Sequence, residues 1–187
     1  MFGNWNECLK RSKGKYITIL NDDDLLDFKF VENVLRDIKH SKMLIYNYQI
    51  LSGNKSTAKI GGNLRLFFEK LNLISNFEIS LSNILHRNPS NGSLGVVFNR
   101  KKGLLIGGYD KKYYPASDYY FNYKYIARYG GIYINKKLAK YRILVNESLK
   151  VENLKSFVLL DYQLRKEICI SHFKKNNYLF KFSNYLN

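Results

Sequence analysis

The chain has 187 residues, 45% of them hydrophobic, and a formal net charge of +16. That much apolar material supports one packed domain and excludes a disordered polycation. No apolar run is long enough to span a bilayer and no secretory leader is visible, so a membrane-spanning or exported chain is not expected. Cys8 and Cys169 have no CxxC spacing, which points to a reduced, cytosolic compartment. The charge is uneven. Residues 1–50 hold eight Lys/Arg against seven Asp/Glu, and residues 99–142 hold eleven against two. A basic surface attracts nucleic acid, phosphorylated ligands or an anionic membrane face.

In chain order, residues 2–13 read as an amphipathic helix with Phe2, Trp5, Cys8 and Leu9 on one stripe. Gly14 reads as its C-cap. Tyr16-Ile17-Thr18-Ile19-Leu20 reads as a buried strand of the parallel kind. It runs into Asn21-Asp22-Asp23-Asp24, three consecutive carboxylates with no basic residue among them. Like charges so close settle when a cation sits between them, and carboxylate oxygens suit hard ions such as Mg2+ or Mn2+. The alternative is a solvated acidic turn, with Asp24 or Asp27 capping the next helix. That helix is expected over 27–39, with Phe30, Val31, Val34, Leu35 and Ile38 facing inward. Residues 43–51 read as a strand, followed by a turn at Ser52-Gly53-Asn54 and a short return strand over 57–60.

Residues 63–85 are apolar at helical spacing and predict two short helices. Arg87 to Gly92 is a loop of turn formers. Residues 93–99 predict a strand, 100–105 a helical turn, and Gly107-Gly108-Tyr109-Asp110 a tight turn where backbone can approach a ligand. A helix rich in aromatic residues is expected over 118–129, ended by Gly130-Gly131. Residues 132–135 and 138–145 read as a hairpin or two short strands, and 152–175 as a helix. The tail, 176–187, is aromatic and basic. The pattern is mixed α/β around a sheet.

Four segments together resemble the family 2 glycosyltransferases of the GT-A fold. They are Gly14-Lys15-Tyr16-Ile17 with Leu20-Asn21-Asp22-Asp23-Asp24, and Gly92-Ser93 with Val97-Phe98-Asn99-Arg100 and Ile106-Gly107-Gly108-Tyr109-Asp110. Ala116-Ser117-Asp118-Tyr119-Tyr120-Phe121 and Leu138-Ala139-Lys140-Tyr141-Arg142-Ile143 complete the set. The resemblance covers roughly residues 1–148 and keeps the family's order. It implies a partial GT-A fold: residues 1–150 as the C-terminal part of the domain, and 151–187 as a helical, basic-aromatic extension. The family's opening strands, which bind the base and ribose, have no counterpart in this sequence.

What the resemblance implies about chemistry follows. The acidic triplet would hold Mn2+ or Mg2+ through Asp22, Asp23 or Asp24, Asp24 first and Asp23 second. Asn21 stands where the family's first motif Asp usually is, on the donor side. Arg142 would touch the donor diphosphate, or form a surface ion pair. Gly107, Gly108, Tyr109 and Asp110 fall in the segment leading to the acceptor, although Asp110 also reads as a turn residue. Asp118 would be the general base that takes the acceptor's proton, or a plain helix cap; at a helix start the dipole would keep it ionised. The expected activity is metal-dependent, inverting sugar transfer from a nucleotide-sugar donor to a saccharide or lipid-linked saccharide. The expected location is the cytoplasm, or its membrane's inner face. The other reading is an inactive remnant acting as a binding module. Nucleic acid is not an expected partner, because no nucleic-acid module is present and the acidic triplet would repel phosphates.

Overall fold

A computed structural model describes residues 2–38, 42–51, 75–90, 92–142 and 151–173. The elements in order are helix α1 (Phe2–Arg11), strands β1 (Tyr16–Thr18) and β2 (Leu25–Leu26), helix α2 (Phe30–Asp37), and strands β3 (Met43–Leu51) and β4 (Phe77–Glu78). Then come helix α3 (Leu81–His86), strand β5 (Val96–Asn99), helix α4 (Arg100–Leu105), a 3-10 turn at Lys111–Tyr113, helix α5 (Ser117–Tyr129), strand β6 (Gly131–Arg142) and helix α6 (Val151–His172). The expected return strand over 57–60, the helical stretch up to residue 74 and the tail over 176–187 lie outside the described residues.

The strands form one mixed sheet in the order β1-β5-β3-β6-β2, with β4 also paired to β6. β3 and β6 are parallel and every other pair is antiparallel. β3 is central, and Met43-Leu44-Ile45-Tyr46 is buried on both faces. Strand alternation sends successive residues to opposite faces. Met43, Ile45 and Phe98 thus pack with Trp5, Leu9, Phe121, Leu164 and Ile168. Leu44, Tyr46, Val97 and Ile134 pack with Phe30 and Val34 of α2 on the other face.

Several expectations are corrected. β1 is antiparallel, with Tyr16 opposite Asn99 and Thr18 opposite Val97; an apolar run reads the same whichever way its neighbour points. Gly14 is not a left-handed cap. The end of α1 is held instead by Arg100, whose guanidinium donates to the carbonyls of Leu9 (2.9 Å) and Lys10 (2.6 Å). Cys8 is exposed. On α2, Val31 and Leu35 are 67% and 72% exposed, because this eight-residue helix buries only the narrow stripe of Phe30 and Val34 against the sheet. Phe77–Glu78 is a strand, not helix, and pairs with Tyr133 and Ile132.

The expected hairpin after residue 131 is one strand of twelve residues. Its polar Asn135-Lys136-Lys137 stretch looks like a turn in sequence but is a bulge against Asn47. Asn47, fully buried, donates through Nδ2 to Asn135 Oδ1 at 2.7 Å. Gly130 does end α5, with φ of 79° and its N–H on the Ile126 carbonyl.

Phe121 and Leu35 separate these two environments. Phe121 is fully buried, stacks 4.3 Å from Tyr109 and meets the Phe98 ring edge-on at 4.8 Å. Phe121→Ala should cost about 3–5 kcal/mol in urea unfolding, whereas Leu35→Ala should stay within about 0.5 kcal/mol. A large loss for Leu35→Ala would mean that α2 buries both stripes.

Candidate active site

The acidic turn follows β1. Asp24 closes it by donating its N–H to the Asn21 carbonyl at 3.3 Å. Trp5 Nε1 donates to Asn21 Oδ1 at 3.3 Å, and Asn21 Nδ2 donates to Asp24 Oδ2 at 3.5 Å. An indole N–H can only donate, so it turns the Asn21 amide to present its NH2 to Asp24. From the end of β6, the Arg142 N–H donates to Asp24 Oδ1 at 3.4 Å. The three carboxylates differ in environment: Asp22 is exposed, Asp23 partly exposed and Asp24 buried. Burial pushes the Asp24 pKa up, and the neighbouring Asp23 charge adds to this. The Arg142 N–H, the Asn21 amide and the Arg142 charge oppose the rise. Arg142 Nε is buried with no hydrogen-bond partner among the described residues.

Asp118 lies in the first turn of α5 and is 9% exposed. It is not the N-cap; Ala116 holds that position. Asn88 Nδ2 donates to Asp118 Oδ2 at 3.3 Å. One turn further along α5, Asn122 donates to Ser90 Oγ at 2.7 Å, and Ser90 donates to Asn88 Oδ1 at 3.2 Å. The loop 88–90 is thereby tied to the helix beside the carboxylate. Burial raises the Asp118 pKa, against the backbone N–H groups of Tyr119 and Asp118 and the Asn88 amide. The helix start alone therefore does not keep this carboxyl at its ordinary value.

Tyr109 connects the two acidic positions. Its ring lies 5.0 Å from Trp5 and stacks on Phe121 of α5. Burial raises its hydroxyl pKa and the Asp118 charge raises it further. Asn6 holds its backbone on both sides, accepting the Tyr109 N–H at 2.9 Å and donating to the Tyr109 carbonyl at 2.7 Å. Gly108 adopts φ of 66°, and a Cβ there would lie 2.5 Å from Asn6 Oδ1. The glycine makes room for Asn6. Gly107 is exposed with φ of 89°. Asp110 caps the 3-10 turn by accepting the Lys112 N–H at 2.9 Å, and its carbonyl accepts from Ser117 Oγ at 2.8 Å.

The contacts thus run from Asn21 through Trp5 and Tyr109 to α5, which carries Asp118. The sequence places Trp5 on an inward helix stripe without a part in the site, and Asn6, Asn88, Ser90 and Asn122 escape the sequence reading. Asn122 could have been found, four residues after Asp118 on the same helix face.

A profile of the family described as Glycosyl transferase family 2 matches residues 1–102. The chain belongs to that family. The match spans α1, the acidic turn and β5. Solved structures of S. aureus TarS residues 1–349 share the GT-A-like fold. The complex with UDP aligns with a TM-score of 0.53 at 14% identity, covering 91% of this chain and 51% of that one. The complex with UDP-GlcNAc aligns with 0.57 at 14% identity, covering 91% and 52%. The chain thus spans about half the length of these structures. No curated protein sequence matches it. No helix among the described residues is long and apolar enough to cross a membrane.

Within this family 2 chain, no three His, Cys, Asp or Glu side chains among the described residues form a ready-made metal cage. Mg2+ commonly takes one or two carboxylates and completes its shell with water and substrate phosphates. Asp23 and Asp24 suit that mode, and the orphaned Arg142 Nε beside them suits a phosphate oxygen.

Asp118 also carries a pH signature. The folded chain holds its proton more tightly than the unfolded chain, whose carboxyl titrates near 3.8. Its contribution to stability is therefore complete below about pH 4 and is lost as pH rises through the raised folded pKa. Asp118→Asn should raise the thermal midpoint at pH 8 and leave it unchanged near pH 4. Equal midpoints at pH 8 would show that the carboxylate carries no burial cost.

Proposed function

We propose that this chain forms the metal- and acceptor-side part of a glycosyltransferase using a nucleotide-sugar donor, with a saccharide or lipid-linked saccharide as acceptor. The observation that carries it is the contact chain from Asn21 to Asp118, which ties the acidic turn to a buried carboxylate. In the reaction, the acceptor hydroxyl oxygen forms a bond to the donor's anomeric carbon while the bond from that carbon to the diphosphate oxygen breaks. The acceptor's proton passes to the Asp118 carboxylate, and the nucleoside diphosphate leaves. One displacement at one carbon inverts its configuration.

A raised pKa makes Asp118 a stronger base than an exposed carboxylate. Asn88 donates to one of its oxygens and fixes the carboxylate that takes the acceptor's proton. Arg142 meets the diphosphate. Gly107 and the Tyr109 turn flank the acceptor, with Asn6 fixing the turn. Asp23 and Asp24 would hold Mn2+ or Mg2+, with Asp22 at the rim; a divalent ion there neutralises charge on the departing diphosphate. The enzyme works in the cytoplasm or at its membrane's inner face.

UDP-GlcNAc is the first donor to test, since a structural neighbour was solved with it. Mn2+ should raise the thermal midpoint, and the Asp23→Asn/Asp24→Asn double variant should remove that rise. With a donor that turns over, Asp118→Asn should lose about 10²- to 10⁴-fold in kcat while donor affinity holds. Near-normal turnover would remove Asp118 from the chemistry. Donor binding without transfer in the unaltered chain would favour the binding-module reading.

A further inference from the structure

We infer that α4 and the end of α1 form a docking surface for an anionic lipid bilayer. Gly103 is the inward residue of α4; a Cβ there would lie 2.7 Å from the Phe98 ring. The opposite side carries Lys101, Leu104 and Leu105, with Leu105 70% exposed. Three- and four-residue spacing puts these side chains on one helix face.

Basic groups lie on α4 and on the segment that Arg100 ties to it. Arg100 anchors the end of α1 beside α4, and its own N–H reaches the Lys15 carbonyl at 3.0 Å. This brings exposed Lys10, Arg11, Lys13 and Lys15 to the same end of the sheet. Glu7 is the single acid of α1, and it is shared by Lys10 and Arg11 at 3.5 and 3.2 Å. Lys102 and Arg128 lie over the Tyr129 ring at 4.3 and 5.5 Å.

Charge complementarity selects the occupant. Lys15 precedes β1 and the acidic turn follows it, so the strand separates the two signs of charge. A bilayer carrying anionic headgroups is drawn to the basic end, and the acidic turn stays turned away from it. The exposed leucines then enter the headgroup boundary, which a nucleic acid does not require. Val31 and Leu35, an exposed apolar pair on another helix, offer a contrast. They lie on α2, across the sheet, where Arg36 pairs with Glu32 and Lys136 with Asp37 at 2.9 Å. That face is nearly neutral and draws no anionic surface.

This surface would bring the enzyme proposed above to its membrane. Vesicle binding is measured without transfer, so either proposal can fail alone. The full chain should sediment with phosphatidylcholine vesicles containing about one-third phosphatidylglycerol, fail to bind pure phosphatidylcholine, and dissociate as salt rises. Lys13→Ala and Lys101→Ala should each weaken binding about fivefold. Leu104→Ser/Leu105→Ser should weaken it about tenfold, and Val31→Ser/Leu35→Ser should not change it. All the altered side chains are exposed, and unchanged thermal midpoints would verify that the variants fold. No binding to the anionic vesicles, equal loss in the α2 pair, or DNA binding as tight as vesicle binding and insensitive to the leucines would each overturn the assignment.

Discussion

Two successive side chains of α1, Trp5 and Asn6, hold the site together. Trp5 donates to Asn21 in the acidic turn, and Asn6 grips both backbone groups of Tyr109. The Trp5 and Tyr109 rings touch, so the two turns cannot move independently of α1. Burial gives these contacts their strength. Trp5 and Tyr109 belong to the same core cluster as Phe121 and Leu9, and a hydrogen bond held in such packing leaves costly unpaired groups when it breaks. The acidic turn and the Tyr109 turn both hang from this small clamp, which is itself fixed by Arg100 at the far end of α1.

The sheet explains why the clamp can be so local. β3 is buried on both faces and pairs with β5 and β6, so the ends of β5 and β6 are set relative to each other. β6 delivers Arg142 to Asp24, and β5 leads into α4 and the turn that carries Tyr109. Placing a carboxylate in such a site has an energetic cost. Asp118 is kept from water at the start of α5 and is compensated by one amide and backbone N–H groups. A stability-optimised helix start would expose an acid there instead. Retaining a buried one is the kind of local violation that accompanies function.

The charge distribution belongs to the same architecture. Acidic groups gather after β1 and basic groups before it and along α4. Each region keeps like charges together at some cost in repulsion. Such an arrangement orients the molecule in an external field, whereas a mixed surface would not.

The sequence by itself determined the family, the mixed α/β class, and the extents of α1, β3, α5 and α6 to within a few residues. Periodicity is a local property, and β3 is apolar through residues 43–46 because it is buried on both faces. It also singled out Asp118 and the acidic triplet. What it could not decide was partnership. The direction of β1 depends on β5, some eighty residues later. The bulge in β6 depends on Asn47, and the outward turn of Val31 and Leu35 depends on how narrowly α2 meets the sheet. Asn6 and Trp5 look like ordinary helix residues until the chain folds back from Gly108 and Asn21. Only tertiary structure sets such long-range pairings, because their energy lies in contacts between segments that no local pattern encodes.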